Sequence, residues 1–199
     1  MVAGTLLVTN GARDDEPPQP AAAQALTTSE RPAPSTTASA TLPGLRPLPP
    51  SDPVRLRVPA IGVDAPMTRL GLDAAGALRP PPAEAGGLAG WYGGGTAPGS
   101  AGTAVTTGHV DTRTGPGVFH RLGALTKGDT IEISRQDGRT AVFAVYAVEL
   151  YDKKEFPDEK VYGSSELPEL RVITCGGDYS KDTGYQGNVV VYATLDAVE

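Results

Sequence analysis

Cysteine is almost absent from this 199-residue chain: Cys175 stands alone, and with it come only two histidines, His109 and His120, and one tryptophan, Trp91. A single thiol excludes an internal disulfide and any zinc cluster built on cysteines, and two histidines cannot supply a His-rich centre. No metal and no cofactor is therefore expected. Positive charge is short as well, with 17 Lys and Arg against 23 Asp and Glu and a net of −6. That balance repels phosphate backbones and leaves no basic stripe, so nucleic acid is not an expected partner. Long apolar runs are missing too. The opening MVAGTLLV is far shorter than the ~20 residues a helix needs to cross a bilayer, and no long amphipathic helical pattern is found further on.

What the chain has in abundance is proline and glycine, 19 and 25 residues, unevenly spread. Ten of the prolines fall between Gly11 and Pro53, in a stretch rich in Ala, Ser and Thr and without an aromatic. Such a segment buries too little apolar area to offset its ordering entropy. Residues 11–53 thus read as an extended, semi-stiff spacer, and residues 1–10 as a remnant of an N-terminal membrane anchor, against the plainer reading of an apolar tail. The folded domain is expected over residues 54–199.

Within that domain short β-type runs alternate with Gly, Pro and Asp: Val54 to Val58, Ala104 to Thr107, Thr130 to Ser134, Ala141 to Leu150, Leu170 to Thr174 and Asn188 to Leu195. Ile131/Ile133 and Val142/Ala144/Tyr146 keep a period of two, and NVVVYATL reads as a central strand buried on both faces. The expectation is an all-β fold closed into a barrel, which removes exposed strand edges. The Gly-rich stretch Arg79 to Gly102, which carries Trp91 and Tyr92, reads as an irregular connection. Trp91 is a candidate for the wall of a substrate groove.

Thiolate chemistry needs a partly exposed cysteine, a proton partner within reach and donors for a developing oxyanion. Cys175 ends the strand-like Leu170-Arg171-Val172-Ile173-Thr174 and is followed by Gly176-Gly177, a more open setting than the middle of an apolar run. His109 ends Ala104-Val105-Thr106-Thr107 after Gly108, with Asp111 two residues on. Two strand ends on one rim of a barrel can bring such a pair together. Asp111 reads either as a group orienting His109 or as part of a polar turn, and the turn is preferred. His120 is expected on the surface, and Thr174 either at the substrate or, more simply, inward.

The residues Gly108-His109-Val110-Asp111, Gly117-Val118-Phe119, Leu125-Thr126-Lys127-Gly128-Asp129, Val172-Ile173-Thr174-Cys175-Gly176-Gly177 and Asn188-Val189-Val190-Val191-Tyr192-Ala193, in that order, resemble the landmarks of the sortase family. Phe156-Pro157, Val161-Tyr162-Gly163 and Leu170-Arg171 resemble its actinobacterial branch, class F. The resemblance implies an eight-stranded sortase-type β-barrel with short helices and turns in the connections. It also implies a cysteine transpeptidase on the extracytoplasmic face of the membrane, held there through its N-terminus. Its substrates would be surface-protein C-terminal sorting signals of the LPXTG kind, cut between Thr and Gly. Its acceptor would be a peptidoglycan precursor amine.

On that likeness Cys175 is the nucleophile and His109 the acid and base. The family's third residue, an arginine on the last strand, has no counterpart, because no Arg or Lys lies between Lys181 and Glu199. The position thirteen after Cys175 holds Asn188. Arg171 is the other candidate, on the same face as Cys175 if the strand is regular and roughly 13 Å away at ~3.3 Å per residue. The third role stays open between them, with Asn188, Trp91 and Thr174 as candidate substrate contacts. Two rival functions remain: a cysteine endopeptidase that hydrolyses the same kind of signal, and a non-catalytic envelope barrel that binds peptide or glycan.

Overall fold

In the computed structural model, residues 16–26 and 46–199 are described. Strand β1 (Pro53–Val58) turns through a 3-10 segment, Pro59–Ile61, into antiparallel β2 (Val63–Leu70). Strand β3 (Ala89–Tyr92) lies parallel to β2, and β4 (Gly102–Thr107) returns antiparallel to β3. A two-stranded ribbon follows, β5 (Asp111–Thr112) with β6 (Gly115–Pro116). Then come β7 (Thr130–Arg135), β8 (Thr140–Asp152), a single helical turn α1 (Asp158–Tyr162), β9 (Pro168–Ser180) and β10 (Gly184–Val198). Eight of these strands close in the order β1-β2-β3-β4-β9-β10-β8-β7, with β7 pairing back onto β1. Closure is the all-β, eight-stranded arrangement that the sequence implied.

The core follows from the two-residue period. Ile131 and Ile133 of β7 face inward and are fully buried, against Phe143 and Val145 of β8 and Leu56 and Val58 of β1. Strand β10 sits between β9 and β8 and is buried on both sides. Val189, Val191, Ala193 and Leu195 enter the barrel core, while Val190 and Tyr192 join a second cluster with Val105, Ile173 and Val161 of α1. Phe119, Leu122 and Leu125, from the segment between β6 and β7, are inserted into the barrel core at no more than 1% exposure. Each contributes about 1.5–3 kcal/mol by leaving water.

Two barrel strands lie outside the expected set. Strand β2 contains Pro66, which removes a ladder donor and argues against a central strand, yet Pro66 precedes the four residues, Met67 to Leu70, that pair with β3. Strand β3 is four residues long and sits inside the stretch read as irregular.

Part of the segment read as spacer lies against the barrel. Strand β8 pairs with β7 only up to Ala144, and residues 16–26 pack beside its continuation. Pro17 is buried, Gln24 accepts at Oε1 from the Lys127 N–H at 2.8 Å, and the Leu26 N–H donates to Glu149 Oε1 at 2.9 Å. Gln19 Oε1 accepts from the Gly177 N–H at 3.1 Å. Composition alone misses this contact because its partners come from distant parts of the chain. Residues 1–10, read as an anchor remnant, and 27–45 lie outside the described residues. Among the described residues no helix is long and apolar enough to cross a membrane.

Candidate active site

The pairing of β4 with β9 positions the two reactive side chains. These strands run parallel, with Thr107 opposite Ile173, so His109 and Cys175, each two residues further on, emerge at the same end. Across β9, antiparallel β10 sets Asn188 directly opposite Cys175, and directly opposed residues project to the same face. His109, Cys175 and Asn188 line one cavity of about 160 Å³, together with Thr107, Asp111 and Tyr185. Cys175 is half-buried, so its sulfur is neither core packing nor freely exposed.

Several hydrogen bonds fix this end. Thr107 Oγ1 donates to the Ile173 carbonyl at 3.1 Å and Thr174 Oγ1 to the Gly108 carbonyl at 2.9 Å. These two bonds lace the His109 strand to the Cys175 strand at residues 107 and 108, just before the histidine. A side chain at Gly108 would meet Val118 Cγ1 at 2.5 Å and Phe119 Cδ2 at 2.6 Å, which is why glycine precedes His109. The Phe119 N–H donates to the His109 carbonyl at 2.9 Å, and Phe119 is anchored in the core. On the other strand Gly177 has φ +77, a conformation that favours glycine and turns the chain just past the nucleophile.

His109 Nε2 lies 2.8 Å from the Pro81 carbonyl oxygen. A carbonyl can only accept, so Nε2 carries the hydrogen and the neutral ring keeps its lone pair on Nδ1. The second ring nitrogen is thereby the one available for proton transfer. Pro81 comes from the β2–β3 connection, whose Pro80 also lines the cavity. In the same lining the Tyr185 hydroxyl donates to Asp111 Oδ2 at 2.7 Å. Burial and that carboxylate hold the Tyr185 proton in place well above the ordinary tyrosine range. The Asn188 side-chain amide makes no hydrogen bond among the described residues, which leaves its two donors available. None of the lining residues is Lys or Arg.

Arg171 is held elsewhere. It lies four residues before Cys175 on β9, but it is 5% exposed, with its guanidinium paired to Glu169 and stacked 4.5 Å over the Tyr192 ring. Nη1 donates to the Leu170 carbonyl at 3.3 Å, and Arg171 does not line the cavity. Trp91 is also outside it. The indole is buried at 3% exposure, donates from Nε1 to the Thr96 carbonyl at 2.9 Å, and borders a separate cavity of about 340 Å³ with Arg69, Asp52 and Ser100. That cavity is the larger of the two, but neither the cysteine nor a histidine lines it. Thr174 lines the reactive cavity, yet it is 4% exposed and its hydroxyl donates to the Gly108 carbonyl. His120, expected on the surface, is half-buried with Nδ1 donating to the Val110 carbonyl at 3.1 Å.

A family model described as a sortase domain matches residues 56–196, well over half of the chain. The chain belongs to the sortase family. Sortases are cysteine transpeptidases of the cell envelope that act on surface-protein sorting signals and cell-wall precursors. Among solved structures, this sortase is similar to sortase A of Listeria monocytogenes, with 19% identity over 75% of this chain and 90% of that one and a TM-score of 0.54. It is similar to a lid mutant of sortase A from Corynebacterium diphtheriae, with 20% identity, 76% and 74% coverage and a TM-score of 0.57. Sortase C-1 from Actinomyces oris gives 23% identity, 73% and 75% coverage and a TM-score of 0.55. At these identities the likeness speaks for the fold. A comparison with curated protein sequences finds no match.

Neither Tyr185 nor Pro81 stands out in the sequence, and Asp111 reads there mainly as a turn residue. Pro81 acts through a backbone carbonyl, which leaves no residue-type signal. Tyr185 carried a weak one, as an aromatic in the short link between the cysteine strand and the last strand.

Proposed function

We propose that this sortase cleaves an LPXTG-like sorting signal between Thr and Gly and passes the acyl group to a cell-wall amine, in the manner of class F enzymes. The domain over residues 54–199 works on the extracytoplasmic face, tethered through the N-terminal segment. The observation that carries the reading is the single cavity shared by Cys175, His109 and Asn188.

The Cys175 thiol gives its proton to His109 Nδ1 and the thiolate attacks the Thr carbonyl carbon. The resulting oxyanion takes donors from the Asn188 amide, an uncharged group in the position where the family carries an arginine. The carbon–nitrogen bond then breaks. The imidazolium returns its proton to the leaving glycine amine, and a thioester remains on Cys175. An incoming amine reverses these steps and releases the product as a new amide. Arg171, buried against Glu169 and Tyr192, is the weaker candidate for the oxyanion.

The test is to incubate the protein with a peptide carrying Leu-Pro-Xaa-Thr-Gly and with triglycine, and to follow products by mass spectrometry. Ligated peptide is expected, together with a thioacyl adduct on Cys175. Hydrolysis alone at high triglycine would make the protein an endopeptidase. No adduct, with an unreactive Cys175, would leave a binding barrel. Cys175→Ala and His109→Ala are each expected to abolish ligation.

A further inference from the structure

The cavity lining also holds Asp111 and Tyr185, a pair whose chemistry the acylation half of the reaction does not use. Asp111 is a carboxylate, which only accepts hydrogen bonds, and the one proton of Tyr185 is donated to Asp111 Oδ2 at 2.7 Å. The pair therefore presents acceptors alone: the second carboxylate oxygen and the lone pairs of the phenol oxygen. It carries negative charge in a cavity whose lining holds no Lys or Arg. Asn188, paired with Cys175 across the β9–β10 ladder, presents amide donors that no hydrogen bond among the described residues engages. The cavity lining thus holds a donor group, suited to an oxyanion, and an acceptor pair, suited to a cation that donates.

Two features make the acceptor pair part of the reacting assembly. Asp111 is two residues from His109 on the β5–β6 ribbon, and Tyr185 is the second residue of β10, three before Asn188. Their hydrogen bond joins the segment that carries His109 to the hairpin that follows Cys175. The Tyr185 ring is braced from behind by Tyr179, edge to face at 5.1 Å between centroids.

We infer that Asp111 and Tyr185 form the subsite for the second substrate, receiving its primary amine as the ammonium ion beside the thioester. This rests on the transpeptidase reading above. The ammonium docks on Asp111 and Tyr185 and gives one proton to His109 Nδ1. The amine nitrogen bonds to the thioester carbon, and the carbon–sulfur bond breaks. The second proton that nitrogen loses returns to the Cys175 sulfur, so the amide is released and the thiol is restored. The His109 imidazolium gives the first proton to water, which returns the neutral ring for the next acylation. Water needs no such cradle, and neither does a nucleophile that is already uncharged.

The experiment measures how the thioacyl enzyme divides between amine and water, a ratio that is independent of how fast the thioester forms. The full chain is given the Leu-Pro-Xaa-Thr-Gly peptide with either triglycine or hydroxylamine, which is uncharged at neutral pH. In Asp111→Asn the ratio of ligation to hydrolysis with triglycine is expected to fall about tenfold, the size of one charge-assisted hydrogen bond. With hydroxylamine the ratio should stay within about twofold, because no differential binding is removed. Tyr185→Phe keeps the carboxylate and should show a smaller fall with the same selectivity. Asp111→Glu should restore most of the triglycine ratio. An equal fall for both nucleophiles, or no change for either, would overturn the assignment and leave Asp111 a brace of the ribbon. If Asp111→Asn does not fold, Tyr185→Phe decides by the same comparison. Wild-type protein that never consumes the peptide would instead sink the transpeptidase reading itself.

Discussion

Replacing Arg171 by alanine separates a structural guanidinium from a catalytic one. Its side chain is 6% exposed and that of its partner Glu169 12%, so the pair is shielded from solvent on both sides. Removing the cation strands the carboxylate in that setting and also strips the stacking over Tyr192, 4.5 Å away. Breaking a buried pair in this way costs about 3–5 kcal/mol. For a domain of this size each kcal/mol lowers Tm by roughly 2–4 °C, so a fall of about 10 °C is expected. The double variant Arg171→Met with Glu169→Gln should recover much of it, because no lone charge is left buried. Thermal unfolding by circular dichroism gives the first quantity, and thioacyl formation at 20 °C, per folded molecule, should stay near wild type. Unchanged Tm with lost thioacyl formation would refute the reasoning and make Arg171 a substrate ligand.

Asn188→Ala should slow thioacyl formation about 10²-fold, the loss of one oxyanion donor, with little change in Tm; an unchanged rate would remove Asn188 from the mechanism. The tyrosines set an alkaline limit. Burial pushes Tyr146 up to about 12 and Tyr192 higher still, while the unfolded chain ionises them near 10. The unfolded state therefore binds fewer protons above about pH 10, so their contribution is complete below that value and declines as pH rises toward about 12. Tm measured between these limits should fall, and less steeply in Tyr146→Phe; parallel curves would contradict the burial argument. Removing residues 1–26 should lower Tm by about 2–4 °C, the worth of roughly 1 kcal/mol of hydrogen bonding left after ordering costs. An unchanged Tm would mean that the segment contributes nothing to stability.

Strands with β-branched alternation are legible in the sequence. Ile131/Ile133, the Ala141 to Leu150 run and NVVVYATL all form barrel strands, because their apolar period matches the pleat. Strands β2 and β3 are not legible, since Pro66 and the glycines around Trp91 oppose strand formation locally and only pairing with β1 and β4 overrides them. The same contrast holds in the site. Cys175 and His109 are visible as polar residues at the ends of apolar runs. Arg171 shares a strand face with Cys175, yet its guanidinium turns to Glu169 and Tyr192, partners that spacing along one strand does not reveal. Trp91 draws notice as the only tryptophan, and its partners are Thr96 and Arg69 in another cavity. Asn188 gains meaning from register, which sets it opposite the sulfur. Asp111 gains it from Tyr185, 74 positions away.

The parallel pairing of β4 with β9 has a consequence for how reactivity arises in time. The bonds from Thr107 to Ile173 and from Thr174 to Gly108 each close a separation of 66 residues, and such non-local parallel contacts are among the slow steps of folding because the loop entropy is lost before they form. A chain that has formed only the local hairpins, β1 with β2 or β7 with β8, holds a solitary thiol with no base beside it. Acyl-transfer competence thus arrives together with barrel closure. A half-folded or still-unfolding molecule keeps its cysteine chemically quiet while other chains pass close by.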